Sequence, residues 1–276
     1  TSKVKWEAQV RDHLGEDYMM TGSNNMSAIH VMVFIHRYLW KYCWDYQSAQ
    51  IATGFVNYIG NKGSTQVSFG LGHTTLLFMN AHLAAHQSKM KERTHNLTRI
   101  LLDSPLRTQR KGQGIHEEYD RVFFFGDLNA RLDASREDVD GWLRRGQLDE
   151  CLKRDQLLPL LQADVRRASS DGPAGWWPVF EEAPIDFLPT YKFDPFTNTY
   201  DTSKKQRVPA WTDRVLWRSD PKIRPLRYGS VQSLLVSDHR PVFTQFEVDV
   251  DLADWHGPPT PEKCGTSSKS SVCSVQ

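Results

Sequence analysis

Arg121-Val122-Phe123-Phe124-Phe125-Gly126-Asp127-Leu128-Asn129-Ala130-Arg131 is the stretch that decides how this chain reads. Val122 to Phe125 are all bulky and apolar, leaving no polar face for water, so the run reads as a β-strand covered on both sides. Such a strand belongs to a sheet with further layers packed on each face. At its end the sequence turns polar at Gly126, Asp127 and Asn129. In an extended chain residues two apart share a face, so Asp127 and Asn129 are expected to project together from the strand end. A carboxylate that takes a proton from water, beside an amide that holds an oxyanion, suits hydrolysis. Gly-Asp and Asn are also turn formers, and this stretch alone does not separate the two readings.

Other runs rich in β-branched and aromatic residues flank this one: residues 28–35, 65–69, 74–80 and 242–248. Helical periodicity appears between them, over residues 87–102 with Met90, Leu97, Ile100 and Leu101, and over residues 138–162 with Val139, Trp142, Leu148, Leu152 and Leu158. Residues 168–177, rich in Ser, Gly and Pro, read as a loop. Strands mixed with helices in 276 residues predict one α/β layered domain. Beyond Val250 the strand signal stops. The Pro, Ser, Lys and Gly of residues 257–276 predict a flexible tail, so the domain is expected to span 1–250 and the tail 251–276.

Charge is balanced at a net +1, which provides no basic field for nucleic acid and excludes it as the expected partner. Any grip on phosphate must come from local clusters. The four cysteines, Cys43, Cys151, Cys264 and Cys273, match neither a zinc pattern nor a disulfide framework, which points to a reducing, cytoplasmic setting. No apolar stretch reaches the length of a membrane span. The first residues, Thr1 to Trp6, form no signal peptide, and without an initiator Met the chain reads as a piece of a longer protein.

Further motifs carry chemistry. Asn80-Ala81-His82-Leu83-Ala84-Ala85-His86 follows the strand at 74–80, so Asn80 and His82 share a face if that strand continues. His82 is then a donor to a phosphoryl oxygen with His86 nearby, or simply a solvated histidine at a helix start. Pro209-Ala210-Trp211-Thr212-Asp213-Arg214-Val215-Leu216 holds an Asp-Arg pair that reads equally as a surface ion pair in a turn. Tyr191, Lys192, Lys205 and Arg207 together suit a phosphate, Arg as a fork and Lys as a point charge, although Lys204 to Arg207 also reads as a solvated loop. In Ser237-Asp238-His239-Arg240-Pro241-Val242, Asp238 and His239 could form an acid–base couple.

Taken together, Gly126 to Arg131 and Pro209 to Leu216 resemble the two signature motifs of the inositol polyphosphate 5-phosphatases. The resemblance continues, in the family's order, through Gly60-Asn61-Lys62-Gly63, Asn80 to His86, Pro189-Thr190-Tyr191-Lys192 and Ser237 to Val242. It implies a DNase I-like fold, a four-layer α/β/β/α sandwich of two mixed sheets. It also implies Mg²⁺-dependent, in-line attack of water on the 5-phosphate of phosphoinositides such as phosphatidylinositol 4,5-bisphosphate or 3,4,5-trisphosphate at a membrane. A soluble inositol polyphosphate is the alternative substrate.

The same resemblance implies roles for individual residues. Asp127 positions or deprotonates the water, Asn129 and His82 hold the scissile phosphate with His82 paired to Asp213, and His239 backed by Asp238 stabilises phosphoryl charge or serves the leaving oxygen. Tyr191, Lys192, Lys205 and Arg207 would grip the neighbouring 4-phosphate, with Asn61, Lys62, Arg93 and Asn96 as further polar contacts. One departure stands out. The family opens with a strand and a Gln-Glu whose carboxylate binds Mg²⁺, and no Gln-Glu dipeptide occurs here, which leaves Asp238 as a secondary ligand. A non-catalytic phosphoinositide-binding module is the reading that follows if no such ligand exists.

Cys273-Ser274-Val275-Gln276 has the spacing of a prenylation box, farnesyl by its last residue, with Ser274 as an imperfect fit; a chance cysteine is the other reading. Phe55-Val56-Asn57-Tyr58-Ile59 could dip into lipid beside the catalytic rim or pack in the core. Both features suggest a cytoplasmic protein held peripherally on membranes, with protein partners unspecified.

Overall fold

The computed structural model describes residues 2–54, 61–108, 110–172 and 174–258. Chain order is α1 (Lys3–Leu14), β1 (Tyr18–Met26), β2 (Ile29–His36), β3 (Cys43–Ala52), β4 (Gly63–Leu71), β5 (Thr74–His82), α2 (Met90–Leu102), α3 (Ile115–Glu118) and β6 (Arg121–Asp127). Then come α4 (Arg136–Arg144), α5 (Leu148–Leu152), α6 (Leu158–Leu161), β7 (Phe180–Glu182), β8 (Asp213–Arg218), β9 (Ile223–Ser230) and β10 (Val242–Val248).

A six-stranded sheet ordered β3-β4-β5-β6-β8-β7 forms the centre. It is mixed: β5 and β6 run parallel, while β6 and β8 run antiparallel. The apolar run in β6 alternates sides. Val122 and Phe124 enter a core with Leu77, Met79, Leu97, Ile100, Trp177 and Phe180. Phe123 and Phe125 enter a second core with Trp211, Trp217, Ile223, Tyr228 and Phe246. The first core lies beneath α2, α3 and α6, and the second is closed partly by the β9–β10 ribbon. Hydrogen bonding in the facing layer is divided between two antiparallel ribbons, β1–β2 and β9–β10, where a second mixed sheet was expected. Ribbon β1–β2 packs across β3, β4 and β5, and β10 packs against β8.

Several sequence expectations change. The periodic stretch at 138–162 is three short helices, because Gly146 takes φ +68° after α4 and Asp155 Oδ1 starts α6 by accepting from the Leu157 and Leu158 N–H groups. The Asp213-Arg214 pair lies in a strand, not a turn. Residues 251–257 do not leave the domain. Asp251 pairs with the β4–β5 turn through its carbonyl, which accepts from His73 N–H at 2.8 Å, and Trp255 stacks on Trp44 at 5.9 Å. Phe55 to Ile59, Gly60 and the Cys273 box lie outside the described residues. No helix among the described residues is long and apolar enough to cross a membrane.

Candidate active site

Three neighbouring strands place one row of polar residues at one end of the sheet. His82 is the register partner of Asp127, and Asp127 is the partner of Asp213. Strands lie roughly 4.8 Å apart, so His82 and Asp213 are about two spacings from each other with Asp127 between them. This row corrects the expected pairing. His82 Nε2 meets Asp127 Oδ2 at 3.1 Å, and Asp213 Oδ2 meets His239 Nδ1 at 2.7 Å. The hydrogen-bonded carboxylate on His239 is therefore Asp213 rather than Asp238, whose own carboxylate lies 3.6 Å from Lys192 Nζ. Thr212 Oγ1 also donates to Asp213 Oδ2 at 2.9 Å.

The backbone at Gly126 is what lets the row form. Its φ is +121°, and a Cβ there would lie 2.3 Å from the Ala81 carbonyl and 2.4 Å from Asn80 Oδ1. Only glycine admits that approach of β6 to β5 one residue before the Asp127 carboxylate. Asn80 is held in turn by donating to the His30 carbonyl at 2.9 Å.

Asn129 does not continue the strand as expected. Its φ is +54°; its Nδ2 donates to the Leu83 carbonyl at 3.1 Å and its Oδ1 accepts from Arg131 at 2.5 Å. Its backbone N–H donates to Asp127 Oδ1 at 3.0 Å, fixing that carboxylate from the side opposite His82. Arg131, which sequence reasoning quoted but assigned no role, also lies 4.5 Å from the Tyr191 ring.

Electrostatics divide the row. Burial pushes the Asp127 carboxyl up, but the His82 hydrogen bond and the charges of His82, His239 and Lys62 outweigh it and hold the group below the ordinary carboxylate value. Burial pushes His239 down, yet Asp213, with Asp127 and Asp238 farther out, raises it above an ordinary imidazole. Burial lowers Lys62, whose ammonium contacts His82 Nε2, and Asp127 partly restores it.

The expected substrate residues separate into two groups. Asn61, Lys62, His86 and Asn96 line a cleft of about 250 Å³ on one side of the row. Asp213 and His239 line another of about 310 Å³ on the other side. Tyr191 bridges His239 in the backbone, its ring 4.7 Å from the imidazole. Lys192 connects to the 201–207 loop, since its carbonyl accepts from Asp201 N–H at 2.8 Å. The buried Asp201 carboxylate then shapes that loop by accepting from Ser203 and Arg207 N–H groups, which leaves Lys205 exposed. Arg93 is a correction. It is fully buried, donates to the Ala84 and His86 carbonyls at 3.1 and 2.8 Å, and so builds the cleft wall instead of meeting substrate. A cavity of about 590 Å³ between Trp44, His73 and Trp255 lies at the β4–β5 turn, away from His82 and His239.

Behind the row, Arg214 is buried completely, with Asp155 Oδ2 at 2.9 Å and Glu182 Oε2 at 2.5 Å. Tyr228 donates to Glu182 Oε1 at 2.8 Å. Sequence reasoning missed Asp155, Glu182 and Tyr228, which come from distant segments with no shared motif.

Residues 1–245 match the endonuclease/exonuclease/phosphatase family 2. Human phosphatidylinositol polyphosphate 5-phosphatase type IV is 33% identical over 265 residues, covering 91% of this chain and 39% of that protein. Human phosphatidylinositol 4,5-bisphosphate 5-phosphatase A is 36% identical over 270 residues, covering 91% of this chain and 25% of that protein. The chain thus spans well under half the length of these curated relatives. Among solved structures, the inositol polyphosphate 5-phosphatase domain of spsynaptojanin, in complex with inositol (1,4)-bisphosphate and calcium ion, superposes with a TM-score of 0.75 at 32% identity, covering 89% of this chain and 69% of that one. A Cimex nitrophorin superposes with a TM-score of 0.70 at 21% identity and shares the fold.

Proposed function

The chain belongs to the endonuclease/exonuclease/phosphatase family 2, in its inositol polyphosphate 5-phosphatase branch with the DNase I-like fold, and from that premise we propose that it hydrolyses the 5-phosphate of phosphoinositides at a cytoplasmic membrane surface. The observation that carries the reading is the row His82–Asp127–Asp213 with His239, with Lys62 against His82 on one side and Lys192 against Asp238 on the other.

Asp127, held ionised by His82, is a permanent acceptor that orients a water for in-line attack. A carboxylate lowered in this way is a poor general base near neutral pH, so positioning is its main contribution. His239, whose hold on a proton Asp213 strengthens, in its protonated form neutralises charge on the phosphoryl oxygens and can donate that proton to the leaving alkoxide. Lys192, Lys205 and Arg207 suit the adjacent 4-phosphate, and Arg131 holds Tyr191 in place between them and His239.

A Mg²⁺ requirement is part of the proposal and rests on family membership. The described residues do not fit that ion unaided: no three His, Cys, Asp or Glu side chains cluster among them, and a hard cation takes about six oxygens. Asp127 and Asp213 are engaged by histidines and Asp238 faces Lys192. This absence of a carboxylate cluster favours the second reading, a phosphoinositide-binding module without turnover.

Phosphate release is the test, from lipid and soluble substrates with and without a 5-phosphate, in Mg²⁺ and in EDTA. Release that needs both the 5-phosphate and the ion supports the hydrolase. Binding of the same substrates without release supports the module. Release from substrates lacking the 5-phosphate refutes the assignment.

A further inference from the structure

Two loops rise together from the active site. Tyr191 to Phe196 runs beside Leu235 to His239: Tyr191 bridges His239, Phe193 N–H donates to the Asp238 carbonyl at 2.9 Å, and Phe196 N–H donates to the Leu235 carbonyl at 2.6 Å. Beneath them Arg240 is fully buried. It donates to the Ser237 carbonyl at 3.0 Å and to the Thr197 carbonyl, and its guanidinium lies 3.8 Å from the Phe193 ring centre. One arginine therefore straps both loops into a single unit.

The tips of this unit are apolar. Phe196 is 74% exposed, Val236 72% and Leu234 48%. Leu234 and Val236 are both exposed, while Leu235 between them is half-buried. Phe196 sits at φ +65°, a left-handed conformation disfavoured for a bulky side chain. A strapped frame that holds a phenylalanine in that conformation and points it at water satisfies nothing inside the protein. The surroundings are cationic: Lys192 is paired with Asp238, and Lys204, Lys205 and Arg207 outnumber Asp194 and Asp201 along the same loop. The Asp201 carboxylate is occupied by backbone N–H groups, and Asp194 accepts from Thr202.

We propose that Phe196, Leu234 and Val236 dock the protein on an anionic lipid surface, with Lys204 and Lys205 facing the headgroups. The proposal rests on the lipid-substrate reading and extends it to how the site meets the bilayer. Charge complementarity selects this occupant: exposed apolar tips ringed by cations match the boundary between acyl chains and anionic headgroups. The distances agree. Phe196 lies five residues from Tyr191, so at most roughly 16 Å of chain at about 3.3 Å per residue separates the tip from the residue that bridges His239, on the scale of tips sunk ~5–10 Å into the interface.

The test is cosedimentation of the full, unlipidated chain with phosphatidylcholine vesicles, with and without phosphatidylserine. Phosphate release from soluble inositol 1,4,5-trisphosphate is followed in parallel. The wild type should bind the phosphatidylserine vesicles and bind pure phosphatidylcholine less. The double variant Phe196→Ser, Val236→Ser should bind at least about tenfold more weakly, with its melting temperature and soluble-substrate behaviour unchanged. If that variant fails to fold, Val236→Ser alone, on an exposed loop, should weaken binding by a few fold. Equal vesicle binding by folded variant and wild type overturns the proposal, as does a wild type that binds no anionic vesicle. Binding that needs the apolar tips, in a chain that releases no phosphate from any substrate, upholds the docking surface and overturns the hydrolase reading instead.

Discussion

Asp213 and Arg214 are adjacent in β8 and belong to different regimes. Asp213 is a quarter exposed and shares one proton-bearing contact with His239. Arg214, pointing through the other face, is sealed between Asp155 and Glu182 with no exposure at all. The period of two in a strand makes the division: one residue faces His239, its neighbour ties β8 to β7 and to the start of α6. Burial sets what each can do. A pair a quarter exposed can exchange protons with solvent, whereas a fully buried triad is costly to break because it leaves charges with neither water nor partner.

The hardest way to break the comparison is Arg214→Met. Leaving Asp155 and Glu182 buried without their cation should cost about 3–5 kcal/mol of stability, read from urea unfolding. A loss under ~1 kcal/mol would mean the triad is no structural clamp. Asp127→Asn should do the reverse, lowering kcat about 10²–10⁴-fold while the urea midpoint stays close to wild type.

Asp213→Asn sharpens the contrast through pH. His239 has its value raised above 6.5 by Asp213, so its contribution to stability is complete below 6.5 and is lost as pH rises through the raised value. Activity that needs the imidazolium falls over the same interval. The variant should move that alkaline limb to lower pH and reduce kcat by about tenfold at pH 7.5, with less effect at pH 6. Asp127 has the opposite sign: its contribution is present above the ordinary 3.8 and is lost as pH falls through its lowered value. The smallest effect belongs to Lys205→Ala, on an exposed loop. It should raise KM a few fold, about 1 kcal/mol, for substrates bearing a 4-phosphate and leave others unchanged.

Sequence showed what local pattern can carry. Val122 to Phe125 announced a strand covered on both faces because no polar residue interrupts it. The order of six motifs pointed to the family, and His82, Asp127 and Asp213 fell in one row at one end of the sheet. Strands β1 and β3 escaped notice because their polar residues, as in Asn24-Asn25 and Asp45-Tyr46-Gln47, hide the alternation. β8 was obscured by opening on Asp213-Arg214. Hydrogen-bond partners were the least legible feature, since His82 meets Asp127 through a pairing of strands 45 residues apart. Arg93 was expected among the polar contacts because it follows the histidine motif where the family places polar residues, and its burial against the Ala84 and His86 carbonyls gives it a structural role.

The row His82–Asp127–Asp213 is written in strand register rather than in any one segment. Substitution and length change therefore meet very different tolerance. Replacing a core residue in β5, β6 or β8 alters packing but keeps the row aligned. Inserting or deleting one residue between the core and the strand end turns the reactive side chain to the opposite face and shifts it against its neighbours. Libraries that vary this enzyme class should accordingly place indels in the connections beyond Leu102 or around residues 163–172, and leave the lengths of these three strands untouched.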